Sequence, residues 1–260
     1  MKNQKLTEAT KNHYKKLMGK IGNGYIYYRW ENHPIKKSHY MHTKKSIEYV
    51  FDKIVGEVED LLEIGCGPGT WTDICLAHSK KITVLDISDE MIKLIENKFG
   101  NNFDIDYICG DYLNEKVTLS KKFDVIFSAR ALEYMSDKNL MIRKSYSYLK
   151  ENGYLIIITK NPLWRDKIFD EKKKIKGGSS KETDIQSDWI YWEKLSQFFL
   201  NNSLSVVKIL PVCFGSYYFP FNNFIGIKLC DLFYNFISKR QMTTHYNFIT
   251  ESYMIIGKKR

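Results

Sequence analysis

Between residues 57 and 160 short apolar runs alternate with longer amphipathic ones, a pattern satisfied best by strands and helices taking turns around a parallel sheet. Asp60-Leu61-Leu62-Glu63-Ile64 reads as a strand, and after a glycine turn residues 70–77 read as a helix. Residues 81–86 form the next strand, and Ser88 stands where a hydroxyl caps a helix running from Asp89 to about Lys98. Residues 105–109, 123–128 and 154–159 complete five strands. A helix from about Asp137 to Leu149, ended by Asn152-Gly153, lies between the last two.

The flanks differ in character. Residues 1–56 hold an aromatic and basic stretch (Tyr25, Tyr27, Tyr28, Trp30, His33, His39, Tyr40, His42), then a helical pattern over residues 46–55. Residues 163–186 form a charged insertion around Gly177-Gly178-Ser179-Ser180, which reads as a loop. Ser187-Asp188 marks the start of a helix bearing Trp189, Trp192, Leu195 and Phe199. Two strand-like runs follow, residues 204–212 and 246–257, with an aromatic stretch over residues 214–237 between them. The 260 residues therefore divide into an N-terminal lid segment, 1–56, and one α/β domain, 57–260, with insertions at 163–186 and 214–245. Lys208, Lys228 and Asp231 break the apolar C-terminal region before it reaches the length of a membrane span.

A net charge of +10 favours an anionic partner, whether nucleic acid, a phospholipid surface or a phosphorylated metabolite, although lysine is spread over the whole chain and a solvated surface accounts for it equally. The five cysteines (Cys66, Cys75, Cys109, Cys213, Cys230) contain no C-x-x-C pair, so neither a disulfide framework nor a zinc site is indicated, and reduced thiols in or near the core are expected. The polar N-terminus lacks the apolar stretch of a secretory signal, which points to the cytosol.

Glu63-Ile64-Gly65-Cys66-Gly67-Pro68-Gly69 is the most specific motif. Glycines after a first strand let a ligand approach the backbone, and the following helix offers amide donors to an anionic group. A dinucleotide fingerprint wants a small residue where Thr70 stands, so the G-x-G-x-x-G spacing is not met. The acidic-x-G-x-G-x-G arrangement instead resembles the first motif of class I S-adenosylmethionine-dependent methyltransferases, and the resemblance extends over residues 57–160. It implies a Rossmann-like, doubly wound, seven-stranded sheet, mostly parallel with an antiparallel C-terminal strand and helices on both faces. It also implies S-adenosylmethionine as cofactor, S-adenosylhomocysteine as product, and no metal.

The resemblance distributes roles along the strand ends. Asp86, at the end of the second strand, matches the carboxylate that accepts both ribose hydroxyls, with Ile87 beside it. Asp111, in Gly110-Asp111-Tyr112, matches the acid that accepts the adenine amino group. Ser128-Ala129-Arg130-Ala131-Leu132-Glu133-Tyr134 resembles the fourth-strand motif beneath the methionyl part, so Ser128 and Ala129 join Glu63, Gly65, Cys66, Gly67 and Gly69 as cofactor-binding candidates.

Transfer of a methyl group from a sulfonium needs alignment first and a base only when the acceptor is a hydroxyl or a protonated amine. Tyr134 is one base candidate, because family members often carry histidine at the matching place. His39 is the other, on the expectation that residues 1–56 lid the site. The fourth strand carries neither the proline-aromatic motif of amino methylases nor a Pro-Cys pair, and resembles members acting on small molecules and lipids. The expected reaction is O- or N-methylation of a small-molecule or lipid-like acceptor, with peripheral contact at an anionic membrane. An RNA-modifying enzyme and a catalytically silent S-adenosylmethionine-binding protein are the alternatives.

Overall fold

A computed structural model describes residues 2–100, 102–162, 188–214, 224–247 and 249–260, with the side chains of 2–6 and 23 left out. The insertion at 163–186, Ser187, and Tyr217, Tyr218, Phe219 and Phe221 lie outside the described residues. In chain order the main elements are α1 (Lys2–Ile21), α2 (Pro34–Val50), β1 (Val58–Ile64), α3 (Thr72–His78), β2 (Ser79–Asp86), α4 (Asp89–Phe99), β3 (Ile105–Cys109) and β4 (Phe123–Ala129). Then come α5 (Lys138–Tyr148), β5 (Leu149–Lys160), α6 (Trp192–Asn201), β6 (Leu204–Phe214), α7 (Phe224–Ile237) and β7 (Thr250–Lys259).

The seven strands form one sheet in the order β3-β2-β1-β4-β5-β7-β6. β1 to β5 pair in parallel, and β7 runs antiparallel to both β5 and β6. Alternate residues of each central strand feed opposite layers, as the pleat requires. Leu61, Val125, Ile156 and Met254 pack with α2, α3 and α4, while Leu62, Ile126, Leu155 and Tyr253 pack with α5 and α6. With both faces covered, the strands read as continuous apolar runs. Strand order reverses between β1 and β4, and the crevice beyond their carboxyl ends is where such sheets hold ligands.

Several expected boundaries shift. Asn152-Gly153 does not end α5; it lies inside β5, where Asn152 adopts φ 64° and the register with β4 slips between Phe123 and Val125. The helix expected from Ser187-Asp188 begins only at Trp192, leaving Trp189 outside it. The strand expected from residue 246 starts at Thr250, preceded by a 3-10 turn, Thr244–Tyr246. The N-terminal segment is not simply laid over a finished domain: Trp30, Ile47, Val50 and Phe51 are buried members of the main core. Four cysteines are buried as expected, but Cys109 is exposed at the end of an outer strand.

Candidate active site

The chain leaves β1 through three left-handed glycines, Gly65 (φ 73°), Gly67 (φ 54°) and Gly69 (φ 75°). Gly65 is required twice over, because a Cβ there would lie 2.2 Å from the Ala131 Cβ of the loop after β4. At Gly67 a Cβ would meet only open space, so the turn presents bare backbone. The amides are spent within the protein: Gly65 and Cys66 donate to the Leu85 carbonyl at 2.7 and 3.2 Å, Gly69 to the Cys66 carbonyl at 3.1 Å, and Gly67 to Asp86 Oδ2 at 2.9 Å.

Asp86 closes β2 with its carboxylate held by backbone. Oδ2 accepts from Gly67, and Oδ1 accepts from the Ser88 amide at 2.9 Å. Burial raises its carboxyl above the ordinary carboxylate range, against the lowering effect of these backbone donors. Asp111 accepts from the Leu113 amide at 2.9 Å through Oδ1 and from the Thr7 hydroxyl of α1 at 2.8 Å through Oδ2. Each of these oxygens retains lone-pair capacity for a ligand hydroxyl or amine.

A cleft of about 1070 Å³, part of it open to solvent, runs along these strand ends. Of the cofactor-binding candidates it takes in Gly65, Cys66, Gly67, Asp86, Ile87, Gly110, Asp111, Tyr112 and Ala129. Glu63, Gly69 and Ser128 stand behind the lining. Glu63 is buried beneath the turn, accepts the Thr72 hydroxyl at 2.6 Å, and is pushed up to about 8 by burial. Gly69 packs against Ile95 and Phe99, and the Ser128 hydroxyl donates to the Ile64 carbonyl at 3.0 Å.

The opposite wall comes from the N-terminal segment. Tyr14 of α1 meets Tyr134 edge-on at 6.4 Å between ring centroids, and Tyr25, Arg29 and Trp30 continue the wall. Trp30 packs at 5.4 Å from Trp71, which stacks at 5.2 Å on Tyr40. Burial pushes the Tyr25 phenol up to about 12 and raises Tyr14 and Tyr134 as well, the last with help from Glu133. These phenols are protonated at neutral pH and act as hydrogen-bond donors. Tyr134 therefore sits at the cleft but is not poised as a base.

Two arginines line the cleft with different commitments. Arg130, in left-handed backbone at φ 65°, donates from Nε to Glu133 at 2.6 Å and lies 3.7 Å from Glu251. Burial opposes its charge, but the two glutamates outweigh it. Arg29 lies over the Trp30 ring, 4.3 Å from its centroid, and forms no ion pair among the described residues.

His39 is not at the cleft. Its ring is buried, its Nε2 lies 3.1 Å from the Phe214 carbonyl, and burial lowers its pKa. α2 carries it beneath β6 and β7, which the position of a histidine in an aromatic stretch does not reveal. Possible ligand atoms of His39, Cys213 and Glu251 lie within 4.8 Å of one another, yet Glu251 is already paired with Lys160 and faces Arg130, charges that oppose a cation there.

Thr7, Tyr14 and Arg29 were missed by the sequence reading. Thr7, Thr10 and Tyr14 all line the cleft at helical spacing i, i+3 and i+7, so the signal existed as one face of α1. Arg29 carried none, since nothing in its neighbours tells a cleft arginine from a solvated one.

Residues 61–153 match the family model described as a methyltransferase domain. This stretch of the chain is thus similar to a methyltransferase domain, in line with the class I motifs of its sequence. Malonyl-[acyl-carrier protein] O-methyltransferase 2 of Ilyobacter polytropus is 32% identical over 122 residues, 46% of this chain and 45% of that protein. Ubiquinone biosynthesis O-methyltransferase of Coxiella burnetii is 27% identical over 117 residues, 44% of this chain and 49% of that protein. The chain thus spans less than half the length of these relatives in each alignment. The solved structure of N-methyltransferase NodS from Bradyrhizobium japonicum, in complex with S-adenosyl-L-homocysteine, superposes with a TM-score of 0.61 at 16% identity, covering 95% of this chain and 98% of that one. That likeness concerns the fold, and it extends well beyond the methyltransferase motifs into the flanking segments.

Proposed function

We propose that this protein transfers a methyl group from S-adenosylmethionine to an oxygen or nitrogen of a small-molecule or lipid-like acceptor. The observation that carries the reading is the convergence of Asp86, Asp111 and the bare turn at Gly67 on one cleft at the strand switch point. The fit to the cofactor is chemical: Asp86 has lone pairs for two ribose hydroxyls, Asp111 for an adenine amine, and Ile87 and Leu113 supply apolar contact. When bound, S-adenosylmethionine supplies an electrophilic methyl on a sulfonium whose departing sulfur becomes a neutral thioether. The chain's task is then to orient and to exclude water, and alignment of reacting groups at about 3 Å contributes on the order of 7–11 kcal/mol. Tyr14, Tyr25 and Tyr134 hold protons on their phenol oxygens for an acceptor to bond, and residues 1–56 act as the lid. Relatives named malonyl-[acyl-carrier protein] O-methyltransferase and ubiquinone biosynthesis O-methyltransferase support an oxygen acceptor carried on a larger or lipid-like molecule. Calorimetry with S-adenosylmethionine, S-adenosylhomocysteine and NAD tests the reading: the first two bind, and binding of NAD alone overturns it.

A lipid-like acceptor also fits the surface of α7. Phe224 and Ile225 are 71% exposed and Phe236 65%, in line with exposed Lys228, Lys239 and Arg240. No helix among the described residues is long and apolar enough to cross a membrane. We propose that α7 rests in the interface of an anionic bilayer, its rings among acyl chains and its cations on headgroups. Co-sedimentation with phosphatidylglycerol vesicles, weakened by salt and by Phe224→Asp, is the expected result. Equal binding to phosphatidylcholine vesicles, or none to either, overturns it.

A further inference from the structure

We infer that the groove between α2 and α7 holds the phosphomonoester headgroup of an anionic lipid, at a site separate from the methyl-transfer cleft. The inference rests on the reading of α7 as a bilayer-facing helix and deepens it.

The groove has a fixed floor. Asp231 of α7 accepts from the Ser38 hydroxyl of α2 at 2.8 Å, and its Oδ1 lies 2.8 Å from His42 Nε2. The His42 ring stacks on Tyr234 at 4.3 Å between centroids, and the Tyr234 and Ser46 hydroxyls lie 3.1 Å apart. These contacts clamp the two helices side by side. Where both helices end, a groove of about 750 Å³, part of it open to solvent, lies between them. Lys45, Tyr49 and Lys53 line it from α2 and the turn after it, and Tyr234, Ser238 and Lys239 line it from α7 and the turn after that. It shares no lining residue with the methyl-transfer cleft.

Charge selects an anion. Two acids also reach the groove, but Glu48 lies 3.9 Å from Lys44 and Asp52 lies 3.6 Å from His78. Lys45, Lys53 and Lys239 form no ion pair among the described residues. Lys239 and Lys208 converge on the Tyr49 ring, 5.4 and 5.7 Å from its centroid. Like charges gathered in this way repel, and an anion between them relieves the repulsion. Several ammonium groups set around one space suit an ion with three acceptor oxygens and up to about two charges, which a phosphomonoester offers and a carboxylate does not.

Position on α7 selects a lipid as the bearer of that phosphate. Ile225, Leu229, Leu232 and Phe236 recur at helical spacing and are all exposed, while Gly226, Cys230 and Tyr234 are buried on the other side. Lys228 and Asn235, with Lys239 just past the helix end, follow the same spacing along one flank of that apolar stripe. Asn235 and Lys239 are also groove residues, so the groove opens beside the stripe. A helix lying with its stripe among acyl chains carries its polar flank at headgroup depth, within reach of a lipid phosphate.

Flotation with phosphatidylcholine vesicles brought to equal surface charge with phosphatidic acid or with oleate tests this, alongside calorimetry with glycerol 3-phosphate and with an RNA oligonucleotide. The expected result is about tenfold tighter binding to the phosphatidic acid vesicles than to the oleate vesicles, a preference lost when Lys45→Glu, Lys53→Glu and Lys239→Glu are combined. The combination Lys116→Glu, Lys122→Glu and Lys194→Glu, at exposed lysines on other elements, keeps the preference. Phe236→Asp weakens binding to both vesicles alike. Equal binding to the two charged vesicles overturns the phosphate site and leaves α7 at the bilayer. A preference that survives reversal of the three groove lysines, in protein whose S-adenosylhomocysteine affinity is unchanged, overturns the groove as its location. Glycerol 3-phosphate bound as tightly as the vesicles, or RNA bound in a way the groove variant loses, overturns the lipid source. No binding to either vesicle overturns this inference and the α7 reading together.

Discussion

The two walls of the cleft are built by different means. The sheet wall is backbone fixed by backbone: Gly65 and Cys66 on the Leu85 carbonyl, Asp86 on the Gly67 and Ser88 amides, Ala131 against the bare Cα of Gly65. The N-terminal wall is side chains on helices: Tyr14, Tyr25 and Arg29, tied to the domain through Thr7 on Asp111 and an exposed pair, Lys11 with Asp89. The first arrangement tolerates little change and suits the invariant part of a reaction. The second changes residue by residue and suits the choice of acceptor.

If that contrast holds, substitutions behind the sheet wall cost stability and substitutions on the N-terminal wall cost function. Glu251→Ala is the severest test, because it leaves Arg130 and Lys160 buried without a shared acid. A loss of about 3–5 kcal/mol is expected in urea unfolding, and a loss under about 1 kcal/mol, the worth of an exposed pair, breaks the contrast.

Glu63→Gln probes the same wall through pH. Burial raises the Glu63 pKa to about 8 in the folded protein from an ordinary 4.5, so the folded state binds the proton more tightly. The stability this group contributes is complete at acid pH and is lost as pH rises through about 8. The glutamine variant escapes that loss, so its stability relative to the parent increases between about pH 5 and 8.5. A difference constant across that range refutes the assignment.

Asp86→Ala leaves the fold intact and weakens S-adenosylhomocysteine binding by about 10- to 100-fold, the worth of charge-assisted hydrogen bonds to two hydroxyls. Unchanged calorimetric affinity places the ribose elsewhere. Tyr134→Phe removes a donor and not a base, so kcat falls by about tenfold or less with no new pH dependence near neutrality. A loss of about a hundredfold or more restores the base role. Lys11→Ala, at an exposed pair, changes stability by less than about 0.5 kcal/mol and acts through lid closure alone.

What was legible in the chain follows the range of the forces involved. The strand at residues 105–109, the Ser88 cap and the start of α4 were read correctly, because alternation and capping are local. Asp86 and Asp111 are singled out by the resemblance to the methyltransferase motifs, and they share the cleft because a parallel sheet puts the carboxyl ends of its strands on one edge. Asn152-Gly153 was misread as a helix end, since a left-handed residue serves a bulge as readily as a cap. His39 was misplaced because an aromatic and basic stretch gives no clue to which side of α2 meets the sheet.

The sequence by itself determined the order of strands and helices and the glycine turn, fixed by interactions within a few residues or by the geometry of parallel strands, and its resemblance to a known family picked out the acids at the strand ends. Only the tertiary structure decided that one arginine of the cleft is neutralised and the other free. It also decided that two tyrosines of the N-terminal segment line one cleft with Tyr134 of the loop after β4, and that a buried acid in the last strand serves two cations. The meeting of Tyr14 with Tyr134 and of Arg130 with Glu251 joins residues more than about 100 apart in sequence, and burial there sets charge and protonation in a way no local pattern records.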